Sequence, residues 1–380
     1  MIGGYLLRVD NRRRRLKLLL QQSLSFREIV VQTGPLLSIS IPTYNRAKFL
    51  DRLLTAIYEQ AANDPRLEVI VSDNASTDGT REVVDKFQAW GMKFRYVRNP
   101  ENIGGNPNML RCFEMCTGRY AWVFGDDDII APGALPKLLQ LLEGGEYDLV
   151  FLAPYLFPGD SDRFLPQPTL WPHTVNVTSD PSRLVDLVNT YSDFDFITAT
   201  ILNRERARQL VEPDLGPYIA DHILQMGWIL PLLKNMRRGV YVQAQWLGRA
   251  EFNAHGGYDL ARHFGMCFAN SVNRWLDGNP ALKKKTVDNH LTMGLISLAL
   301  HIWEIEKWSR FHPIKVDNPH KKLVPYFGRN PRYWLCTFPM IVLPKPLSKA
   351  WALPWMVRRK LLRFWYQRIT PSIKMRGTQK

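Results

Sequence analysis

Acidic residues are missing from the end of this chain: none follows Asp317. The stretch beyond it holds 14 Lys and Arg, nearly all of the formal net charge of +15, and leaves the body of the 380-residue chain near neutrality. A nucleic-acid binder with a uniformly basic fold is excluded by that distribution, so nucleic acid is not an expected partner. Cysteine is scarce. Cys112, Cys116, Cys267 and Cys336 are the whole set; Cys112 and Cys116 share a helix face, but no second pair completes a zinc site. They read as buried thiols of a reducing compartment. Long apolar runs are absent too. No stretch approaches the ~20 residues that span a bilayer, and Leu16–Leu20, behind the basic Arg12–Arg15, is too short for a signal core. No Gly-x-Gly-x-x-Gly follows the first strand and there is no Gly-Lys-Ser/Thr loop, which disfavours a dinucleotide fold and a P-loop. The same lack of a basic Gly-rich loop counts against a nucleotidyltransferase.

What is there is a globular balance, 46% hydrophobic and 22% charged, in a chain long enough for two or three domains. The most informative run is Trp122-Val123-Phe124-Gly125-Asp126-Asp127-Asp128-Ile129-Ile130. Three adjacent carboxylates at the end of an apolar strand are more negative charge than an interior holds uncompensated. Hard divalent cations take oxygen ligands and join carboxylates to substrate phosphates. The run therefore reads as a metal-and-diphosphate site, with a solvated acidic turn as the alternative.

Residues 1–34 read as a basic lead-in. Leu36–Ile41 reads as a strand stopped by Pro42, and Phe49, Leu50, Leu53, Leu54 and Ile57 recur at helical spacing. Further strands are expected at Leu67–Val71, Phe94–Val97 and Tyr120–Phe124. Helices are expected at Arg81–Trp90, at about 107–116, and from Pro132 to about Leu142. This β-α alternation predicts a mostly parallel sheet with covered faces. The strands end in Tyr44/Asn45, Asp73/Asn74, Asn99 and Asp126–Asp128, on the edge where open α/β sheets bind ligands. The second half is less regular. Strands are expected at 148–152, Phe196–Leu202 and Val240–Leu247, the last leading into a loop at Gly248–Glu251. A loop-rich stretch is expected over Pro158–Thr178, a helix over Ile219–Leu233 and another over 281–308. Trp122 reads as core. Arg249 and His255 are expected in a loop that closes over a diphosphate or forms a surface ion pair.

Ser38-Ile39-Ser40-Ile41-Pro42-Thr43-Tyr44-Asn45-Arg46, then Val71-Ser72-Asp73-Asn74-Ala75-Ser76-Thr77-Asp78-Gly79-Thr80, then Asn102-Ile103-Gly104, and Gly118-Arg119-Tyr120 leading to Asp126-Asp127-Asp128 together resemble the family 2 glycosyltransferases with the GT-A fold. The likeness is dense over residues 36–145 and thinner to about 265. Trp122 with Asp126-Asp127-Asp128-Ile129-Ile130 and Pro132-Gly133 is similar to transferases of bacterial surface polysaccharides. The resemblance implies an α/β GT-A domain over 35–265, with a nucleotide-sugar half (35–145) and an acceptor half (146–265), followed by a helical, basic and aromatic extension (266–380). It implies a donor site as well. Asp73 matches the carboxylate that accepts the N3–H of the base, usually uracil. Pro42 and Tyr44 match the strand end beside the base, with Asn45, Asn74 and Asn102 around it. Asp126 matches the ribose-side acid of the DXD-type motif, Asp127 its metal ligand for Mg²⁺ or Mn²⁺, and Asp128 supports the ion or faces the acceptor. Many relatives carry Asp at the position of Gly125, which leaves the choice of metal-touching carboxylates open by one position. The catalytic base corresponds to Asp221; a helix-capping role is its alternative, and Asp193 and Asp195 are rivals for the base.

The implied reaction is inverting transfer of a sugar from a nucleotide-sugar donor, a UDP-sugar by preference, to a hydroxyl of a saccharide or lipid-linked saccharide. A non-catalytic carbohydrate-binding or scaffold protein on the same fold is the alternative. An idealised helix over Trp351–Ile369 sets Trp351, Trp355, Leu361, Leu362, Trp365 and Ile369 against Arg359, Lys360 and Arg363. Residues 345–380 therefore read either as a peripheral membrane contact or as a helix packed on the catalytic domain. The expected location is the cytoplasm, peripheral on the inner face of the plasma membrane.

Overall fold

Two seven-residue apolar strands form the middle of the sheet's parallel module. A computed structural model gives the fold and describes residues 34–157, 173–188, 194, 196–210, 215–216, 223–250, 261–294, 318–344, 346–355 and 357. Strands β1 (Leu37–Thr43) and β2 (Leu67–Asp73) are buried along most of their length, as expected where helices cover both faces of a parallel sheet. They pair in parallel from Leu37 opposite Leu67 to Thr43 opposite Asp73, so their carboxyl ends finish level. β3 (Arg95–Arg98) flanks β2 and β4 (Tyr120–Val123) flanks β1, both parallel. Pro42 does not stop β1. It lies beyond Ser40, the last residue paired with β4, so its missing N–H costs no bond on that side.

The connecting helices follow the apolar spacing. Helix α1 (Ala47–Ala61) buries Leu50, Leu53, Leu54 and Ile57. α2 (Thr80–Ala89) and α3 (Gly105–Met115) complete the parallel module. After the acidic run come β5 (Ile129–Ile130), α4 (Ala134–Glu143), β6 (Leu149–Phe157), β7 (Thr174–Thr178), α5 (Pro181–Val188), β8 (Thr200–Asn203), α6 (Arg204–Leu210), α7 (Leu224–Lys234) and β9 (Gly239–Ala250). Among the described residues, nine strands run β3-β2-β1-β4-β8-β6-β9-β5, with β7 on β9. β6 and β9 are parallel, whereas β8 is antiparallel to both β4 and β6.

Three expectations for the second half are corrected. Thr174–Thr178, expected in a loop-rich stretch, is a strand because it pairs with β9 from Thr174 opposite Gln243 to Thr178 opposite Gly239. Phe196–Leu202 is not one strand: Ile197–Ala199 is a 3₁₀ turn and β8 starts at Thr200. The Trp122 indole donates to the Thr198 carbonyl at 2.7 Å, which takes that backbone acceptor out of any ladder. Arg249 is not in a loop, because β9 continues through it: Gly248 pairs with Ile129 and Arg249 with Leu156.

α7 is buried on every side, its Trp228 stacked on Phe113 of α3 at 4.7 Å. α8 (Phe268–Leu276), α9 (Pro280–Asn289) and α10 (Pro319–Phe327) extend the same core, adding Phe268, Leu276, Leu282, Leu323 and Phe327 to the cluster that holds Trp228. No disulfide joins the four cysteines, and all are buried; burial pushes the Cys112 thiol up to about 12, which makes it an inert core residue. Among the described residues, no helix is long and apolar enough to cross a membrane. Asp193, Asp195, Asp221, His222, His255 and residues 358–380 lie outside the described residues.

Candidate donor site at the carboxyl edge of the sheet

The ends of β1, β2 and β4 line an open cavity of about 740 Å³, within the range of small-molecule sites. Of the expected donor residues, Pro42, Tyr44, Asn45, Asn74, Asn102 and Asp126 line it, together with Asp127 and Asp128. Asp73 does not. It is 1% exposed; its Oδ1 accepts from the Ser76 backbone N–H at 2.8 Å and its Oδ2 from the Tyr96 hydroxyl at 2.7 Å. Asp73 holds the corner from behind the wall.

An all-neutral web of side-chain amides shapes that wall. Asn74 Nδ2 donates to Asn102 Oδ1 at 2.6 Å, and Asn74 Oδ1 accepts from Asn99 Nδ2 at 2.9 Å and from the Ile103 N–H at 3.0 Å. Asn108, which the sequence did not single out, receives the Ser72 hydroxyl at 2.7 Å and Asn99 Nδ2 at 3.1 Å. Such amides bond one another without net charge, with the buried Asn99 Oδ1 alone in this web left without a partner. Asn45 stands at φ +52°, a region Asn tolerates, and its Oδ1 accepts the Thr77 N–H at 2.7 Å. Gly104, at φ +92°, turns the chain into α3, whose first residue Gly105 also lines the cavity. The exposed N–H groups of a helix start favour anions.

The three aspartates occupy three environments. Asp126 is buried, accepting from Thr43 Oγ1 at 2.8 Å and from Arg46 Nη1 at 2.9 Å. Burial pushes its carboxyl up to about 6; Arg46 opposes that shift and the negative Asp127 adds to it. Asp128 is also buried: Thr198 Oγ1 donates to its Oδ2 at 2.5 Å and the Ala250 N–H to its Oδ1 at 3.1 Å. Burial, and then the Asp127 charge, hold it well above the usual carboxylate range. Asp127, between them, has a side chain 22% exposed that meets Arg46 Nη1 at 3.1 Å, while Arg52 Nη2 grips its backbone carbonyl at 2.6 Å.

Arg46 thus bridges two aspartates. Burial works against its charge, but Asp126 and Asp127 outweigh burial and raise its pKa. A side chain at Gly125 would crowd this cluster, since a Cβ there would lie 3.0 Å from Asp128 Oδ2 and 3.2 Å from Thr198 Oγ1. Thr198 fills that space and accepts the Gly125 N–H at 3.0 Å. Arg249 lies over the Phe196 ring at 4.6 Å, and its charge reaches Asp128.

This donor set fits a hard divalent cation. Arg46 is the short-range positive charge on Asp126 and Asp127, and burial already presses Asp126 and Asp128 toward protonation. Asp126 and Asp128 spend both oxygens on protein donors, so Asp127 is the carboxylate presented to an ion. Among the described residues, no three His, Cys, Asp or Glu side chains are grouped to hold a metal by themselves. Mg²⁺ commonly binds through one or two carboxylates plus substrate phosphates, and this arrangement suits that mode.

Residues 38–206 match the family model described as glycosyl transferase family 2. Over 109 residues the chain is 39% identical to the abequosyltransferase RfbV of Salmonella typhimurium, covering 28% of this chain and 33% of that protein. Over 112 residues it is 34% identical to the GalNAc(5)-diNAcBac-PP-undecaprenol beta-1,3-glucosyltransferase of Campylobacter jejuni, covering 29% of this chain and 36% of that one. The chain thus spans about a third of the length of these curated relatives. Among solved structures, S. aureus TarS 1–349 in complex with UDP-GlcNAc superposes with a TM-score of 0.54 at 14% identity, covering 88% of this chain and 92% of that one. At that identity the likeness shows the fold.

Proposed function

We infer that this chain, whose residues 38–206 match the glycosyl transferase family 2 model, is an enzyme that moves a sugar from a nucleoside-diphosphate donor to an acceptor hydroxyl. The observation that carries this reading is the convergence of Pro42–Arg46, Asn74, Asn102 and Asp126–Asp128 on one cavity. Residues 35–145 then form the donor half and 146–265 the acceptor half, with 266–380 an appended extension.

The nucleoside base lies against Pro42 and Tyr44, at the corner that Asp73 secures, with Asn45, Asn74 and Asn102 around it. Asp126, held by Thr43 and Arg46, stands on the ribose side of the cavity. The diphosphate meets the N–H groups at the start of α3. Asp127 would hold the Mg²⁺ or Mn²⁺ ion, with Asp128 as a buried buttress fixed by Thr198 and the Ala250 N–H. When bound, the cation would offset the charge that develops on the departing diphosphate. The acceptor oxygen attacks the anomeric carbon as the bond to the diphosphate oxygen breaks, and the leaving group keeps that electron pair. The acceptor proton passes to a carboxylate base, for which Asp221 is the candidate. One displacement inverts the anomeric centre. The acceptor is a saccharide or lipid-linked saccharide of a surface polysaccharide; RfbV and the Campylobacter enzyme are named for sugar transfer. A UDP-sugar is the first donor to try, since the TarS structure of like fold holds UDP-GlcNAc.

Isothermal titration with UDP, GDP, CDP and dTDP, each with and without Mn²⁺, tests the reading. Metal-dependent binding of one nucleotide is expected and names the donor class. A folded protein that binds none of them would move the assignment to a non-catalytic scaffold.

A further inference from the structure

Large apolar side chains are exposed mainly in one region. Of the eleven left exposed among the described residues, eight lie between Tyr326 and Val357. The helix over 346–355 is turned inside out. Ser348 and Ala352 are its buried positions, while Leu347, Ala350, Trp351, Leu353 and Pro354 face solvent and Lys349 is its one exposed charge. Inward-facing Ser348 is satisfied, its hydroxyl donating to the Met340 carbonyl at 2.6 Å. The Trp351 indole donates to the Leu335 carbonyl at 3.0 Å and so joins this helix to the exposed Trp334–Leu335 ledge. Exposed apolar side chains concentrated in one stretch in this way mark an interaction site rather than ordinary solvent-facing structure.

Charge selects the occupant. Residues 318–357 contain Lys321, Lys322, Arg329, Arg332, Lys345 and Lys349 and no Asp or Glu. Two copies of such a surface would bring like charges together, whereas anionic lipid headgroups are complementary to it. Trp and Leu beside Lys and Arg are the side chains that settle at a bilayer interface. Among the described residues no helix is long and apolar enough to cross a membrane.

We propose that the surface built from residues 326–357 seats the protein on an anionic bilayer, with Trp334, Leu335, Leu347 and Leu353 entering the interface and the neighbouring lysines meeting lipid phosphate. This surface is separate from the donor cavity, and its role stands or falls independently of sugar transfer.

Flotation of the full chain with vesicles of phosphatidylcholine alone, or mixed with phosphatidylglycerol, tests the proposal. The protein is expected to float with the mixed vesicles, less so as salt rises, and hardly at all with the neutral ones. The double variant Leu347→Glu/Leu353→Glu alters exposed positions, so its thermal midpoint stays put while its partitioning weakens at least about tenfold. Lys321→Gln/Lys322→Gln gives a smaller loss. The proposal is overturned by no flotation, by equal flotation on neutral vesicles, or by unchanged flotation of the Leu347→Glu/Leu353→Glu variant. It is also overturned by a wild-type dimer that this variant converts to monomer, which would assign the surface to a second copy.

Discussion

The carboxyl edge of the sheet and the C-terminal surface break opposite rules. At the sheet edge, Asp73, Asp126 and Asp128 are each at most 3% exposed; on the C-terminal surface, Leu335, Leu347 and Leu353 are each more than half exposed. A folded chain gains nothing by burying carboxylates or by wetting leucines. Each inversion costs stability, and each proposed ligand would set the local balance right: a cation and diphosphate at one place, a lipid surface at the other. The cost is managed differently. The aspartates are held by Thr43, Arg46, Thr198 and the Ala250 N–H, whereas the leucines rest on a polar seam of two hydrogen bonds, Ser348 to Met340 and Trp351 to Leu335.

Substitutions can break that contrast. The largest effect is expected from Asp127→Ala, which should lower transfer by about 10²–10³-fold or more, the scale for losing a charge-stabilising group. Its thermal midpoint should stay near that of the wild type, because this aspartate is the least buried of the three. An Asp127→Ala enzyme with normal turnover would end the metal assignment. Next, Leu230→Ala in the fully buried α7 should cost about 2–5 kcal/mol in denaturant unfolding, whereas Leu353→Ser should stay within about 0.5 kcal/mol. Equal costs would mean that Leu353 is packed and not a free surface residue. Thr198→Val keeps the shape but removes the donor to Asp128 and the acceptor for the Gly125 N–H. Urea unfolding should show a loss of about 1–3 kcal/mol, and nucleotide affinity should fall with it.

The smallest effect is a slope. The Asp126 pKa is raised to about 6 in the folded protein from an ordinary value near 4. The native state therefore binds more proton than the unfolded chain between those values, and cation-free stability should decline as pH rises from about 4 to 6. Asp64 and Asp78 are shifted the other way, and their contributions are lost only at lower pH. Melting temperatures across this window should fall more steeply for the wild type than for Asp126→Asn. Parallel curves would show that Asp126 does not titrate there.

Much of the first region was legible in the sequence because its signals are local. Apolar runs ending in Asp or Asn gave β1, β2 and β4 and the edge on which their ends meet, and residues 37–123 fold as that spacing predicts. The partners of the aspartates were not legible. Arg46 reaches Asp126 across 80 positions, and Thr198 reaches Asp128 across 70; no spacing rule spans such separations. Thr198 was misread as mid-strand because Phe196–Leu202 has strand composition, while its conformation is set by Trp122 and Gly125. Asp73 was singled out correctly as a strand-end carboxylate, but which way it turns depended on Tyr96. In the second region the basic, aromatic tail was plain from composition. Its outward-facing residues were not, because an idealised helix does not say which side the rest of the protein covers.

One consequence follows from the direction of β8. A parallel strand delivers its last residues to the carboxyl edge, but an antiparallel neighbour delivers its first. β8 runs against β4, so the turn that leads into it arrives where β4 is leaving, and Thr198 comes to the aspartates from the far half of the chain. The earlier and later strands of the sheet are thus stitched at the cavity itself and not only along the ladders. A shift of the later half cannot be silent at the earlier one: it pulls on the thread between Thr198 and Asp128, and the cavity floor moves with it.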